Sequence, residues 1–156
     1  MLIPDRVVEL IHGPAFMQIA TRSADLWPAH AMVVGGEVHD DRQTVTVFIA
    51  AAASQPTLDN LEGNGRIALC VALATHEAYQ LKGTYVSSRP TSDDDLARQE
   101  TYRGALFASA LAAGYPEEMA RPFTLGFAYT PGLAITLRVE EAFLQTPGPD
   151  AGIALR

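Results

Sequence analysis

Eight consecutive apolar residues, Ile67 to Ala74 in IALCVALA, restrict most strongly what this chain can become. The run is far too short to cross a bilayer as a helix, which takes roughly 20 residues. Gly63, Gly65 and Arg66 precede it, and a polar fragment, His76-Glu77, follows. A short apolar run bounded in this way reads as a strand over Arg66–Ala74. Its nearly unbroken hydrophobicity predicts burial on both faces, in a barrel or under a partner subunit.

The flanking sequence supplies strands for it to join. Ala15 to Thr21, Pro28 to Val34, Thr44 to Ala50, Tyr79 to Ser87 and Leu133 to Leu144 read as five more. In the third, Thr44 and Thr46 alternate with Val45 and Val47; in the last, Ile135, Leu137 and Val139 share one face. Ser23 to Trp27 reads as a turn, and GGEVHDDRQ, rich in Gly and Asp, as a hairpin-like connection. The residues after Leu144, TPGPDAGIALR, read as an irregular tail, because prolines and glycines oppose ladder pairing.

Helices separate some of these strands. Pro4 to His12 places Val7, Val8 and Ile11 on one face, with Asp5 in the first turn and Gly13 to end it. Ser54 is positioned to cap a short helix, Pro56 falls where no N–H partner exists, Leu58 and Leu61 share a face, and Gly63 and Gly65 stop it. Ser92, followed by Asp93, Asp94 and Asp95, opens a long helix with an apolar stripe of Leu96, Leu106, Phe107, Ala110 and Leu111. Gly114 and Pro116 end that helix, and PEEMARP offers another helical turn. The order is helix, three strands, short helix, two strands, long helix, strand. The expected fold is a single domain over residues 1–156, mainly β with helices (α+β), built as a six-stranded antiparallel Greek-key barrel with helices at its ends.

Bulk properties narrow the partners. Of 156 residues, 48% are hydrophobic and 19% charged, enough apolar material for a real core. A formal charge of −7 argues against a nucleic-acid backbone, whose binding needs clustered Lys and Arg. A small anionic ligand needs only a local positive spot and stays open. No transmembrane run is present, and the N-terminus lacks the pattern of a signal peptide, so a cytoplasmic location is expected. Cys70 is the sole cysteine and precludes an internal disulfide.

Other candidates for chemistry are weak. His12, His30, His39 and His76 show no metal-ligand spacing, and Asp93 to Asp95 are explained as a helix start, so no metal site is expected. Cys70 lies within an apolar strand and reads as filler. No nucleophile motif stands out, and no catalytic residue is assigned. Trp27 either covers a ligand at the barrel mouth or folds over its own turn.

Taken in order, MQIATRSADLWPAHAMVVGG, SQPTLDNLEGNGRIALCV and YQLKG resemble the pyridoxamine-phosphate-oxidase-like split-barrel flavoproteins. The matching positions are Ala20-Thr21 at a strand end, Pro28 opening the next, Asn60-Leu61 in a helix, Asn64-Gly65-Arg66 entering a strand, and Lys82-Gly83. The likeness spans about Leu2 to Val86. It implies a homodimer with FMN bound at the subunit interface and an oxidoreductase activity of unspecified substrate. It places Met32, Val33, Ala51, Ser54, Gln55, Thr57, Gln80 and Lys82 around the cofactor. Gln80 would hydrogen-bond the flavin ring and Lys82 would draw negative charge toward it. Ala50 to Ala53 would leave a floor open to the ring and ribityl chain; the alternative is that these alanines pack beneath the long helix.

Flavin-binding relatives of this pattern carry an Arg and a Lys that hold the FMN phosphate. Here those positions are Ala31 and Thr57. A helix N-terminus and the hydroxyls of Ser54 and Thr57 remain to receive an anion. Losing two charged hydrogen bonds weakens binding by about two or more decades. Arg22, Arg66 or Lys82 could supply charge from elsewhere in a dimer. The resemblance also leaves open a deazaflavin, a haem with His30 as first candidate ligand, and a non-catalytic dimer without flavin.

Overall fold

Alternating residues along the strands close into a ring. In a computed structural model describing residues 1–126 and 128–155, and for Ala53 the backbone alone, the elements are α1 (Asp5–His12), β1 (Phe16–Arg22), β2 (Pro28–Val38), β3 (Thr44–Ala50), a 3-10 turn (Ala51–Ala53), α2 (Gln55–Asn64), β4 (Arg66–Ala72), β5 (Ala78–Pro90), α3 (Asp93–Ala112), α4 (Glu117–Thr124) and β6 (Gly132–Leu144). The strands form a closed antiparallel barrel in the order β1-β2-β3-β6-β5-β4. Met17, Ile19, Val33, Val45, Val47, Ile49, Ile67, Leu69, Val71, Leu81, Ile135, Leu137 and Val139 point inward, none more than 4% exposed. Each such side chain contributes roughly 1.5–3 kcal/mol on leaving water. This is the six-stranded split barrel expected from the sequence.

β4 departs from expectation in an instructive way. Ile67, Leu69 and Val71 enter the core, but Cys70 is exposed and Ala68 and Ala72 are half-buried. Burial on both faces is therefore not met within one chain. The outward row is apolar only because its side chains are small, and small side chains hide the period-2 pattern in the sequence.

Other boundaries moved for identifiable reasons. Gly35 and Gly36 do not begin a connection; β2 runs on to Val38 through a bulge between Val33 and Gly36. The turn beyond it is held by Asp41, whose Oδ1 accepts the N–H groups of Gln43 and Thr44 at 2.9 and 2.8 Å. β5 continues through Pro90, which pairs in register with Leu133 at the strand's end. The tail does pair: after a turn at Gly148–Gly152 it returns so that Phe143 and Ala154 form an antiparallel bridge.

α3 starts as expected. Ser92 Oγ accepts the Asp95 N–H at 3.3 Å, and Asp95 Oδ2 accepts the Ser92 N–H at 2.8 Å. Its inward face differs: Asp95, Gln99, Tyr102, Arg103, Leu106 and Ala110 are buried, whereas Leu96 is half-buried and Leu111 is 39% exposed. Burial pushes the Asp95 carboxyl up, but its ion pair with Arg89 and the bonds from Ser92 outweigh that and hold it below the usual carboxylate range. A carboxylate with a depressed folded pKa stabilises the fold above its unfolded value and loses that contribution as pH falls through the folded value. Asp95→Asn should cost about 1–2 kcal/mol at pH 7 and flatten the acid limb of stability below about pH 4. Urea unfolding from pH 2.5 to 7 checks both; equal acid slopes for the two proteins would remove Asp95 from the account.

Candidate functional site

α2 is held against the barrel by side chains that its helical period places on one face. Leu61 enters the core, Asn60 Nδ2 donates to Thr21 Oγ1 at 3.1 Å, and Asn64 Nδ2 donates to the Arg22 carbonyl at 2.7 Å. Gly65 ends the helix at φ +67°, a left-handed cap suited to glycine.

The start of α2 is less conventional. Ser54 was expected to cap it, but its hydroxyl donates to the Ala51 carbonyl at 2.7 Å and makes no cap bond. With φ −99° and ψ −14°, Ser54 is helical rather than extended, so it lacks the backbone setting of a capping residue. The first-turn N–H groups of Gln55 and Thr57 have no intrahelical acceptor, and Pro56 has no N–H. Thr57 is 1% exposed, and its Oγ1 has no hydrogen-bond partner among the described residues. A buried hydroxyl left unpaired costs about 1–3 kcal/mol. Gln55 is exposed and its amide donates to Asp59 Oδ1 at 2.7 Å. Before the helix, Ala51 is half-buried and Ala52 exposed. α3 is not among the elements that pack substantially on this turn.

Three of the other candidate residues, Met32, Gln80 and Lys82, lie on the outer face of the barrel. A cross-strand row runs Met32, Gln18, Cys70, Gln80, Phe143, and a second runs His30, Ala20, Ala68, Lys82, Glu141. Met32 is 39% exposed. The Gln80 amide approaches Cys70 Sγ at 3.9 Å, and Lys82 Nζ lies 4.6 Å from the Phe143 ring centroid, a cation–π contact. Val33 and Ala31 instead point into the core, at 1% and 6% exposure. Ala31 therefore brings no charge to any surface.

The eight candidate residues thus fall into separate places. Ala51, Ser54, Gln55 and Thr57 stand at the start of α2, Met32, Gln80 and Lys82 stand on the outer sheet, and Val33 is in the core. Lys82 also lines an open cleft of about 690 Å³ with Arg22, Arg66, Glu140 and Glu141. Glu140 and Glu141 were not singled out in the sequence; a bulge between Lys82 and Gly83 brings both to the surface, and such a slip has no sequence signature. His30 is exposed, and no group of three or more His, Cys, Asp or Glu that could hold a metal exists among the described residues. Trp27 is 76% exposed at the β1–β2 turn, its backbone N–H donating to Ser23 Oγ at 3.1 Å.

No protein-family model and no curated protein matches the sequence. Solved structures do match in shape. HupZ of Group A Streptococcus is 18% identical with a TM-score of 0.57, covering 97% of this chain and all of its own. An F420 reductase is 14% identical with a TM-score of 0.58, over 90% of this chain and 98% of its own. An FMN-binding protein from Syntrophomonas wolfei is 12% identical with a TM-score of 0.52, over 86% of this chain and 80% of its own. At these identities the likeness is one of fold.

Proposed function

Starting from a split barrel of the pyridoxamine-phosphate-oxidase-like type, we propose that this chain is an FMN-dependent oxidoreductase acting as a cytoplasmic homodimer. The phosphate of FMN rests on the first turn of α2. One observation carries this reading: the Thr57 hydroxyl is buried with no partner among the described residues, in the first turn of α2, whose N–H groups a helix leaves without an acceptor of its own. An anionic oxygen at the positive end of the helix dipole would accept from those N–H groups, and from the enclosed Thr57 hydroxyl once the turn over it shifts. The residues present therefore fit a phosphate by hydrogen bonding, with no charge from Ala31 or Thr57.

Dimerisation motivates the rest. The outward row Ala68, Cys70, Ala72 and the exposed Met32 form a low, weakly polar sheet face suited to cover by a second copy. That contact would set Gln80 and Lys82 of one chain near α2 of the other. Bound FMN supplies hydride or electron transfer, and the protein supplies binding and orientation. The Gln80 amide would hydrogen-bond the ring, and Lys82 would favour negative charge on it. The uncharged Ala31 and Thr57 positions favour, as second reading, a dimer whose ligand is a deazaflavin or haem, or which binds no redox cofactor.

Titration with FMN should give saturable fluorescence quenching below about 100 µM. Light scattering should give twice the chain mass of 16.7 kDa. Thr57→Val keeps the side-chain shape and removes the hydroxyl. It should raise the stability of the ligand-free protein by about 1 kcal/mol and weaken FMN binding about tenfold. A stabilised variant with unchanged FMN affinity would detach Thr57 from the site. Protein that stays colourless and leaves FMN fluorescence untouched ends the flavin reading, and a Soret band on haem addition would favour the haem alternative.

A further inference from the structure

A groove of about 540 Å³ runs between α1 and α3, over the Val38 end of β2. Both helices pack on β2, but α1 and α3 are not among the element pairs that pack substantially on each other. The side chains give the reason. α3 lines the groove with Ala97, Thr101 and Ala105, which recur on one helical face, and none is long enough to cross the gap. The groove lies apart from the surfaces assigned above. α2 is anchored on Thr21 and Arg22, which pair with Ala29 and Pro28 at the opposite end of β2. The face given to a partner copy is formed by Met32 and the outward row of β4, none of which lines this groove.

The walls are fixed by the fold. Ile11, Val38 and Tyr102 make an apolar floor, none more than 9% exposed. The Tyr102 hydroxyl donates to the Ala15 carbonyl at 2.7 Å. His12 Nε2 accepts the Val38 N–H at 3.0 Å, which holds the ring against the strand and leaves its hydrogen on Nδ1. The rim above this floor is rich in acceptors. Glu37 and Asp40 line it, and Asp40 has no hydrogen-bond or ion-pair partner among the described residues. Thr101 donates its hydroxyl to the Ala97 carbonyl at 3.0 Å, so its oxygen is left to accept. α1 ends at His12, and the negative end of its dipole has the same sign as the two carboxylates. Arg98 is the one Lys or Arg among the described lining residues, and its Nη2 lies 3.2 Å from Glu37 Oε1. A cationic group of the chain itself thus already rests on this rim.

We infer that this groove binds a small organic amine, its ammonium received by Asp40, Glu37 and the Thr101 oxygen and its apolar body laid on Ile11, Val38 and Tyr102. The site is separate from the first turn of α2 and does not depend on flavin binding there. An ammonium donating to carboxylates makes charge-assisted hydrogen bonds, the stronger class of such contacts. The apolar floor contributes by taking the body of the amine out of water. Arg98 competes with the ligand for Glu37, so removing its charge strengthens binding, whereas removing the charge of Asp40 weakens it. That opposition of sign separates a built site from general attraction of cations to an acidic chain.

Calorimetric titration with phenethylamine tests the inference, beside phenethyl alcohol, which keeps the apolar body and lacks the charge. The amine should bind with a dissociation constant below about 1 mM at low salt and weaken as salt is added. The alcohol should bind at least about tenfold more weakly. Asp40→Asn should weaken the amine about tenfold. Arg98→Gln, which releases Glu37, should tighten it about threefold. Arg121→Gln, on α4, makes the same change in net charge away from the groove and should leave the affinity unaltered. Ala105→Leu places a larger side chain in the groove and should abolish binding, with urea unfolding to show that the variant is folded. No binding of phenethylamine at about 10 mM, alcohol binding as tightly as amine, or equal responses to Arg98→Gln and Arg121→Gln would each overturn the site. Thr57→Val should leave amine binding as it is; its loss there would move the amine to α2 and overturn the site as well.

Discussion

Alanine at Gly83 should lower the unfolding midpoint by about 10 °C, the largest effect expected of any single methyl group in this protein. A Cβ there would lie 2.0 Å from the Arg138 carbonyl oxygen and 2.9 Å from its carbon. Both are backbone atoms of the neighbouring strand, so no side-chain rotation relieves the contact. β5 or β6 must move, and the ladder either side is continuous from Tyr79 to Pro90 apart from its two register slips. One of those slips is here: Lys82 pairs with Glu141 and Gly83 with Val139, leaving Glu140 as the extra residue. A penalty of roughly 3–5 kcal/mol is expected, at about 2–4 °C per kcal/mol for a chain of this size. Gly63→Ala is the matched control. Nothing lies within 4 Å of a Cβ at Gly63, inside α2, so that change should stabilise by about 0.5–1 kcal/mol. Calorimetry of the two variants reads the contrast directly. A Gly83→Ala protein melting with the parent would mean that the strands separate there at little cost.

The same bulge shows what was and was not legible in the sequence. All six strands and the three main helices could be read, because barrel strands must place apolar side chains at every second position and that constraint is written locally. A one-residue slip is not written locally. Glu140-Glu141 reads as one strand residue in and one out, yet the slip puts both outside, next to Lys82. Likewise Gly35-Gly36 reads as a turn and is a bulge within β2. Ser54 followed by Pro56 reads as a cap, but the preceding 3-10 turn fixes Ser54 in a helical conformation. The unpaired Thr57 hydroxyl depends on what the folded barrel lays against it, which no window of sequence contains. The candidate site was therefore readable as residue types around α2, β2 and β5, while its division between a helix start and an outer sheet face required the fold.

Arg103→Met should destabilise the protein by about 3 kcal/mol and loosen the α2 end of the molecule selectively. Arg103 is 7% exposed. Its Nε donates to the Thr124 carbonyl at 3.3 Å, Nη2 to the Leu125 carbonyl, and Nη1 to Glu100 Oε1 at 2.9 Å. The guanidinium also lies 4.3 Å from the Tyr129 ring centroid, and Tyr129 donates its hydroxyl to the same glutamate. One planar fork thus ties α3 to the end of α4 and to the residues leading into β6. Methionine fills similar volume and supplies no donor, leaving carbonyls at the α4 terminus without this partner. Lysine keeps the charge but cannot reach two carbonyls and a carboxylate as a fork, so Arg103→Lys should recover only part of the loss. The consequence extends to α2 because the Pro131 carbonyl, just beyond Tyr129, accepts the Ala51 N–H at 2.9 Å. Ala51 opens the turn that delivers Ser54 and Thr57. FMN affinity should therefore fall together with stability. Urea unfolding with FMN titration reads both effects: stability lost with FMN affinity intact would break the link through Pro131 and Ala51, and unchanged stability would show that apolar contacts such as Phe16 with Phe123, 5.5 Å apart, hold the helical hairpin on their own.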